Sequence, residues 1–121
     1  MSIIDPVKHA VKAKITFAIP GMRGEAIQPV GIDITRDGKT AFVALGPANR
    51  IAVVDGATHQ VQKYLLVGQR VWHMAITPDE KYLLTTNGVS NDVSVIDVAA
   101  LKVIDTIQVG ELPWGIAISQ R

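Results

Sequence analysis

The chain can be laid over itself at a constant offset of 42 residues without a gap. Residues 29–68 fall on 71–110, and 71–76 fall on 113–118. The identical pairs include Ile34/Ile76, Thr35/Thr77, Asp37/Asp79, Gly46/Gly88, Asn49/Asn91, Val53/Val95, Asp55/Asp97, Val67/Val109 and Gly68/Gly110. Self-similarity at such a period means stacked supersecondary units, none of which can bury its faces alone.

Each unit breaks into four short β-rich runs separated by turn signals. The first is Val30 to Ile34, repeated as Trp72 to Ile76 and Trp114 to Ile118, with Trp72, Met74 and Ile76 alternating with His73 and Ala75. The second is Thr40 to Leu45 and Tyr82 to Thr86; the third is Arg50 to Val54 and Asp92 to Ile96; the fourth is Val61 to Val67 and Val103 to Val109. Period-two alternation argues for strands, and no helical stretch is long enough to cross between parallel strands, so antiparallel meanders are expected. The turn Thr35-Arg36-Asp37-Gly38-Lys39 offers Gly38 for positive φ, a freedom that Glu80 lacks in the second copy. Four strands per unit predict an all-β fold made of β-propeller blades.

Upstream, Ser2-Ile3-Ile4-Asp5 resembles Ser94-Val95-Ile96-Asp97, and Val11 to Ile19 resembles a fourth strand. The chain therefore reads as one β-propeller segment: residues 1–21 an outer half blade, 27–68 and 69–110 whole blades, and 111–121 the innermost strand of a further blade. Such an array leaves apolar sheet faces and strand edges in water, a self-association hazard. Completion by oligomerisation is expected, with a head-to-tail dimer favoured. Two chains would give four whole blades and two hybrid ones, within the roughly four to eight of known propellers.

Composition removes several functions. With 12 basic and 11 acidic residues interspersed, there is no basic stripe for nucleic acid or anionic lipid. Cysteine is absent, which excludes thiolate metal sites and a cysteine nucleophile. No segment approaches the roughly 20 apolar residues of a membrane span, and Met1 to Lys14 contains no apolar run of signal-peptide length. Phosphate-binding glycine loops, nucleophile elbows and paired catalytic carboxylates are missing, so an enzyme is the less favoured reading. No cofactor or metal is assigned.

The segments Thr77-Pro78-Asp79, Tyr82-Leu83-Leu84-Thr85-Thr86-Asn87, Val93-Ser94-Val95-Ile96-Asp97 and Pro113-Trp114-Gly115 resemble the YVTN-type β-propeller repeat. Residues 31–44 and 86–97 resemble the propeller group associated with PQQ-dependent catabolism. The resemblance implies a bacterial, exported and hence periplasmic protein with a binding or scaffold role beside quinoprotein dehydrogenases. It also implies an alternative, since related propellers carry lactonase or haem chemistry on channel-facing histidines and arginines.

Five residues form the candidate ligand-binding set. His73 replaces Gly31 and Gly115 at one repeat position on an innermost strand, where a blade lines the channel. Against a ligand role stands the common case of a lone histidine that fills a gap or faces water. Arg70 and Arg23 lie in loops leading to innermost strands. Trp72 and Trp114 share one repeat position, as stacking platforms or as blade-to-blade packing. Asn49, Asn91, Asp55 and Asp97 read as turn-capping residues rather than calcium ligands.

Overall fold

The computed structural model describes residues 1–119, so Gln120 and Arg121, the tail of the expected 111–121 segment, lie outside the described residues. An antiparallel hairpin joins β1 (Ser2–Asp5) to β2 (Ala10–Lys14). A first four-stranded sheet runs β3 (Ile32–Ile34), β4 (Thr40–Ala44), β5 (Arg50–Asp55), β6 (Val61–Leu66). A second runs β7 (Val71–Ile76), β8 (Tyr82–Asn87), β9 (Asp92–Asp97), β10 (Lys102–Gln108). Each is a meander in chain order, as expected of a blade. Among the described residues the only helical element is a 3₁₀ turn, Gly24–Ala26, and no helix is long and apolar enough to cross a membrane.

The first sheet is covered on both faces, so β4 and β5 are buried almost throughout. The pairing Ala41↔Val54 and Val43↔Ala52 sets one face, and Phe42↔Val53 and Ala44↔Ile51 set the other. Ala41, Val43, Leu45, Ala52 and Val54 pack on Ile15 and Phe17 beside the hairpin, with Met1 and Ile3 at the margin. Phe42, Ala44, Ile51, Val53, Leu65 and Val67 pack on Val71, Met74, Leu83 and Ile96 of the second sheet. A one-residue slip would exchange the two sets, so register is held from both sides.

Three polar devices lock the sheets together. Asn49 takes φ +55° and its Oδ1 accepts from the Arg70 backbone N–H at 2.8 Å; one repeat later Asn91, at φ +59°, accepts from Leu112 N–H at 2.9 Å. The asparagines thus do more than cap a turn: they clasp the linker that starts the next blade. At the other end, Asp33 Oδ2 accepts from Ile76 N–H at 2.9 Å, and Arg36 donates through Nη2 to Pro78 O at 2.7 Å. The Arg36 backbone N–H donates to Glu80 Oε1 at 2.7 Å. Glu80 adopts φ +56°, close to the +69° of Gly38, so the turn overrides the side chain's own preference.

The outer hairpin turns share a second rule. Asp5 Oδ1 accepts from Val7 and Lys8 N–H, Asp55 Oδ1 from Ala57 and Thr58 N–H, and Asp97 Oδ1 from Ala100 N–H. His9, His59 and Leu101 then take positive φ at matching places. These backbone N–H groups hold the Asp5 and Asp55 carboxyls below the usual 3.8. Asp37 is lowered chiefly by Lys39 N–H and Asp79 chiefly by the Thr77 hydroxyl.

Two expectations are corrected. Pro113 to Ile118 forms no strand ladder among the described residues, because a strand needs an edge to bond to and the second strand of that blade is not beside it. The expected fourth run Val11 to Ile19 is a strand only to Lys14. The ladder closes where Ile15 exchanges bonds with Met1, and beyond it Ala18 N–H is held by the Tyr64 hydroxyl at 3.1 Å.

Gly68 lies over a buried polar cluster of the second sheet. There Asn87 Nδ2 donates to Asp92 Oδ1 at 2.7 Å and to Ser94 Oγ at 2.9 Å, and Ser90 Oγ donates to Asp92 Oδ1 at 3.0 Å. A Cβ on Gly68 would fall onto Asp92 Oδ1, Ser90 Oγ and Asn87 Nδ2, whereas one on Gly110, its repeat equivalent, would meet nothing within 4 Å. Gly68→Ala should therefore cost about 1–3 kcal/mol in urea unfolding, and Gly110→Ala less than about 0.5 kcal/mol.

The lowered carboxyls set a pH dependence. Their folded values lie below 3.8, so their contribution is present above that pH and is lost as pH falls through the folded values. Circular dichroism should stay flat from neutrality to about pH 4 and fall below it, and the double variant Asp37→Asn, Asp79→Asn should shallow that fall.

Candidate binding cleft at the innermost strands

In the first sheet the innermost strand enters its ladder through Val30 N–H to Ala44 O at 2.9 Å and Ala44 N–H to Gly31 O at 2.8 Å. A Cβ on Gly31 would lie 2.7 Å from Trp72 O and 3.1 Å from His73 Cα. Both are backbone contacts that cannot swing aside, so glycine here is a condition of close approach between innermost strands.

Ala44 alone thus faces both Val30 and Gly31, a bulge, and the second sheet repeats it at the same place. The β7–β8 register runs Val71↔Asn87 and then Met74↔Thr85, leaving Trp72 and His73 in a bulge. Thr86, where the first sheet has Ala44, fills the gap: its Oγ1 accepts from His73 N–H at 3.2 Å and donates to Trp114 O at 2.8 Å. One hydroxyl thus replaces a missing ladder bond and anchors the segment beyond the sheet. Bulges re-aim side chains, and His73 is turned out to solvent.

A cleft of about 280 Å³ results, lined by Val30, Gly31, Trp72, His73, Trp114 and Gly115. These are two adjacent repeat positions drawn from three successive units, gathered in one place. Trp72 is half-buried, with its indole against Gly88, and the Arg70 guanidinium lies 4.8 Å from its ring centroid. Trp114 is 71% exposed. Such a surface offers two indole faces, a cation stacked on one of them, and an imidazole able to donate or accept.

Of the five residues singled out, Trp72, His73 and Trp114 line this cleft and Arg70 stacks at its edge. Arg23 does not line it: it is exposed and precedes the 3₁₀ turn Gly24–Ala26. The residue missed was Thr86. Its signal was present, since the Ala44 to Thr86 exchange accompanies the Gly31 to His73 exchange on the neighbouring strand. Among the described residues no three of His, Cys, Asp and Glu gather as a metal site.

The fold matches solved propeller-like structures. A chain of Kuenenia stuttgartiensis hydrazine synthase is 31% identical, covering 86% of this chain and 30% of that one, with a TM-score of 0.76. A functionally unknown protein from Desulfotomaculum acetoxidans is 17% identical over 97% of this chain and 37% of its own, also at 0.76. Apo AztD from Citrobacter koseri is 15% identical over 72% and 25%, at 0.62. The fold is that of a β-propeller section. The chain spans between a quarter and two fifths of these proteins' lengths. No family model matches it, and no curated protein does.

His73 is solvent-facing, so His73→Ala should change stability by less than about 0.5 kcal/mol. Thr86→Val should cost about 1–3 kcal/mol, because His73 N–H and Trp114 O lose their shared partner. Paired urea titrations of the two variants check the contrast.

Proposed function

We propose that the chain is a non-enzymatic binding section of a β-propeller whose innermost-strand cleft holds a ligand or a partner's side chain. The carrying observation is convergence: both tryptophans and the one histidine that replaces a glycine meet in a single cleft. No packing demand requires an imidazole where two sibling units carry glycine. The chemistry suits a flat, anionic, aromatic group, stacked on indole and paired with Arg70 and His73.

The resemblance of residues 31–44 and 86–97 to the PQQ-associated propellers gives this reading its context: an accessory role in PQQ-linked oxidative catabolism, in the bacterial periplasm. The hydrazine synthase match supports the wider point that a propeller section of similar sequence serves within an enzyme. A second reading, a lactonase-like or haem-carrying propeller, is favoured only by the exposed His73 in the cleft.

Because the chain has two tryptophans and both line the cleft, its indole emission reports on that cleft alone. Titration with PQQ, corrected for absorption, should shift or quench emission saturably, and His73→Ala with Arg70→Ala should weaken the response at least tenfold. An emission that follows only the absorption correction would overturn the reading. A Soret shift on titration with haemin, abolished in His73→Ala, would move the assignment to the second reading.

A further inference from the structure

The two ends of the sheet stack expose surfaces that the repeat shows to be complementary. Ile4 and Val11 of the hairpin stand at the repeat positions of Ile96 and Val103, which belong to the core between the two sheets. Ile96 is fully buried there, whereas Ile4 and Val11 are 61% and 55% exposed. At the opposite end, Leu84, Val93, Val95, Ile107 and Val109 repeat Phe42, Ile51, Val53, Leu65 and Val67, the surface on which Ile96 is buried. Ile107 and Val109 are 49% and 41% exposed. The molecule therefore carries, uncovered, both halves of an interface that it already builds once inside itself.

We infer that a second copy of this chain docks head to tail, laying its β1–β2 hairpin on the outer face of the second sheet. Ile4 and Val11 of one copy then meet Leu84, Val93, Val95, Ile107 and Val109 of the other, as Ile96 and Val103 meet the first sheet. Charge follows the same correspondence. Between the two sheets Lys63 Nζ donates to Leu101 O at 3.0 Å. One repeat on, Asp105 stands in the place of Lys63, and the hairpin position matching Leu101 is His9, flanked by Lys8 with Lys12 nearby. An acid on the sheet thus faces a basic turn on the hairpin, which selects this pairing over hairpin on hairpin.

The docking also occupies an apolar groove. A cavity of about 330 Å³ lies between the hairpin and the innermost strand, lined by Ile3, Ile15, Ile32, Ile34, Ala41 and Val54 among others. It is where a blade would hold its inner strands. The unpaired Pro113 to Ile118 segment of the copy being covered lies at that level of the stack, and its Trp114, Ile116 and Ile118 alternation suits a strand added beside β1. Trp114 belongs to both this segment and the cleft, whereas the hairpin and the sheet face that carry the interface do not line the cleft.

Because the contact is heterologous, it has a signature that simple stickiness lacks. Light scattering of the full chain at micromolar concentration should give a multiple of 13.0 kDa. Ile4→Glu and Ile107→Glu, at exposed positions, should each give 13.0 kDa with unchanged circular dichroism. Mixed, the two variants should restore twice that mass, since one supplies an intact hairpin and the other an intact sheet. If either variant loses its fold, Val11→Glu and Val109→Glu take its place. Wild-type protein at 13.0 kDa, variants that keep the wild-type mass, or a mixture that stays at 13.0 kDa would each overturn the inference.

Discussion

Everything in this molecule depends on sheets packing face to face. A four-stranded blade presents two apolar faces, and neither can be left in water without loss, so each blade is stable only between neighbours. The first sheet shows the satisfied state, with Phe42, Ile51 and Val53 sealed on one side and Val43, Ala52 and Val54 on the other. The second sheet and the hairpin show the state with one side missing. Their exposed isoleucines and valines are core residues by position and surface residues by circumstance.

Apolar packing alone does not set the spacing between sheets. That is done by short polar links: the asparagine clasp recurs in each repeat at one end of the strands, and Asp33 and Arg36 of the first unit act at the other end. The Asn49 and Asn91 clasps use left-handed backbone to aim an amide oxygen at the next linker. At the far end the Asp33 carboxylate accepts from Ile76 N–H and the Arg36 guanidinium donates to Pro78 O. Each link satisfies an N–H or C=O that would otherwise be stranded at a sheet boundary, so removing one costs both a bond and the solvation of its partner.

The sequence made the architecture legible because the determinants of blades are local and repeated. The 42-residue offset, period-two alternation and turn aspartates all survive in one chain without structural help. What it hid was relational. Asn49 looks like a turn residue until its oxygen is seen on Arg70, and no repeated pattern marks Asp33, whose counterpart is Ala75, as the acceptor for Ile76 N–H. Glu80 lacks the freedom of Gly38, yet it adopts the same left-handed backbone, since the turn is held by Asp79 and Thr77 rather than by residue 80. The failure of Pro113 to Ile118 as a strand was illegible for another reason: pattern describes a strand's faces, whereas a ladder also needs an edge.

The cleft illustrates how a repeat acquires an individual site. Gly31 shows that the scaffold demands no side chain there and tolerates none where the next strand approaches closely. In the second unit histidine takes that position on the same bulge, with its side chain turned to solvent. There Thr86 satisfies the His73 N–H and, beyond the sheet, the Trp114 carbonyl. The Ala44 to Thr86 exchange thus accompanies the Gly31 to His73 exchange on the adjacent strand, where the hydroxyl accepts from the His73 N–H. It leaves the apolar faces untouched, since Met74, Leu83 and Ile96 remain in the core on the other side of the sheet. A blade can change what it presents to the channel without changing how it stacks, and this separation lets one repeated scaffold carry a distinct chemistry in each unit.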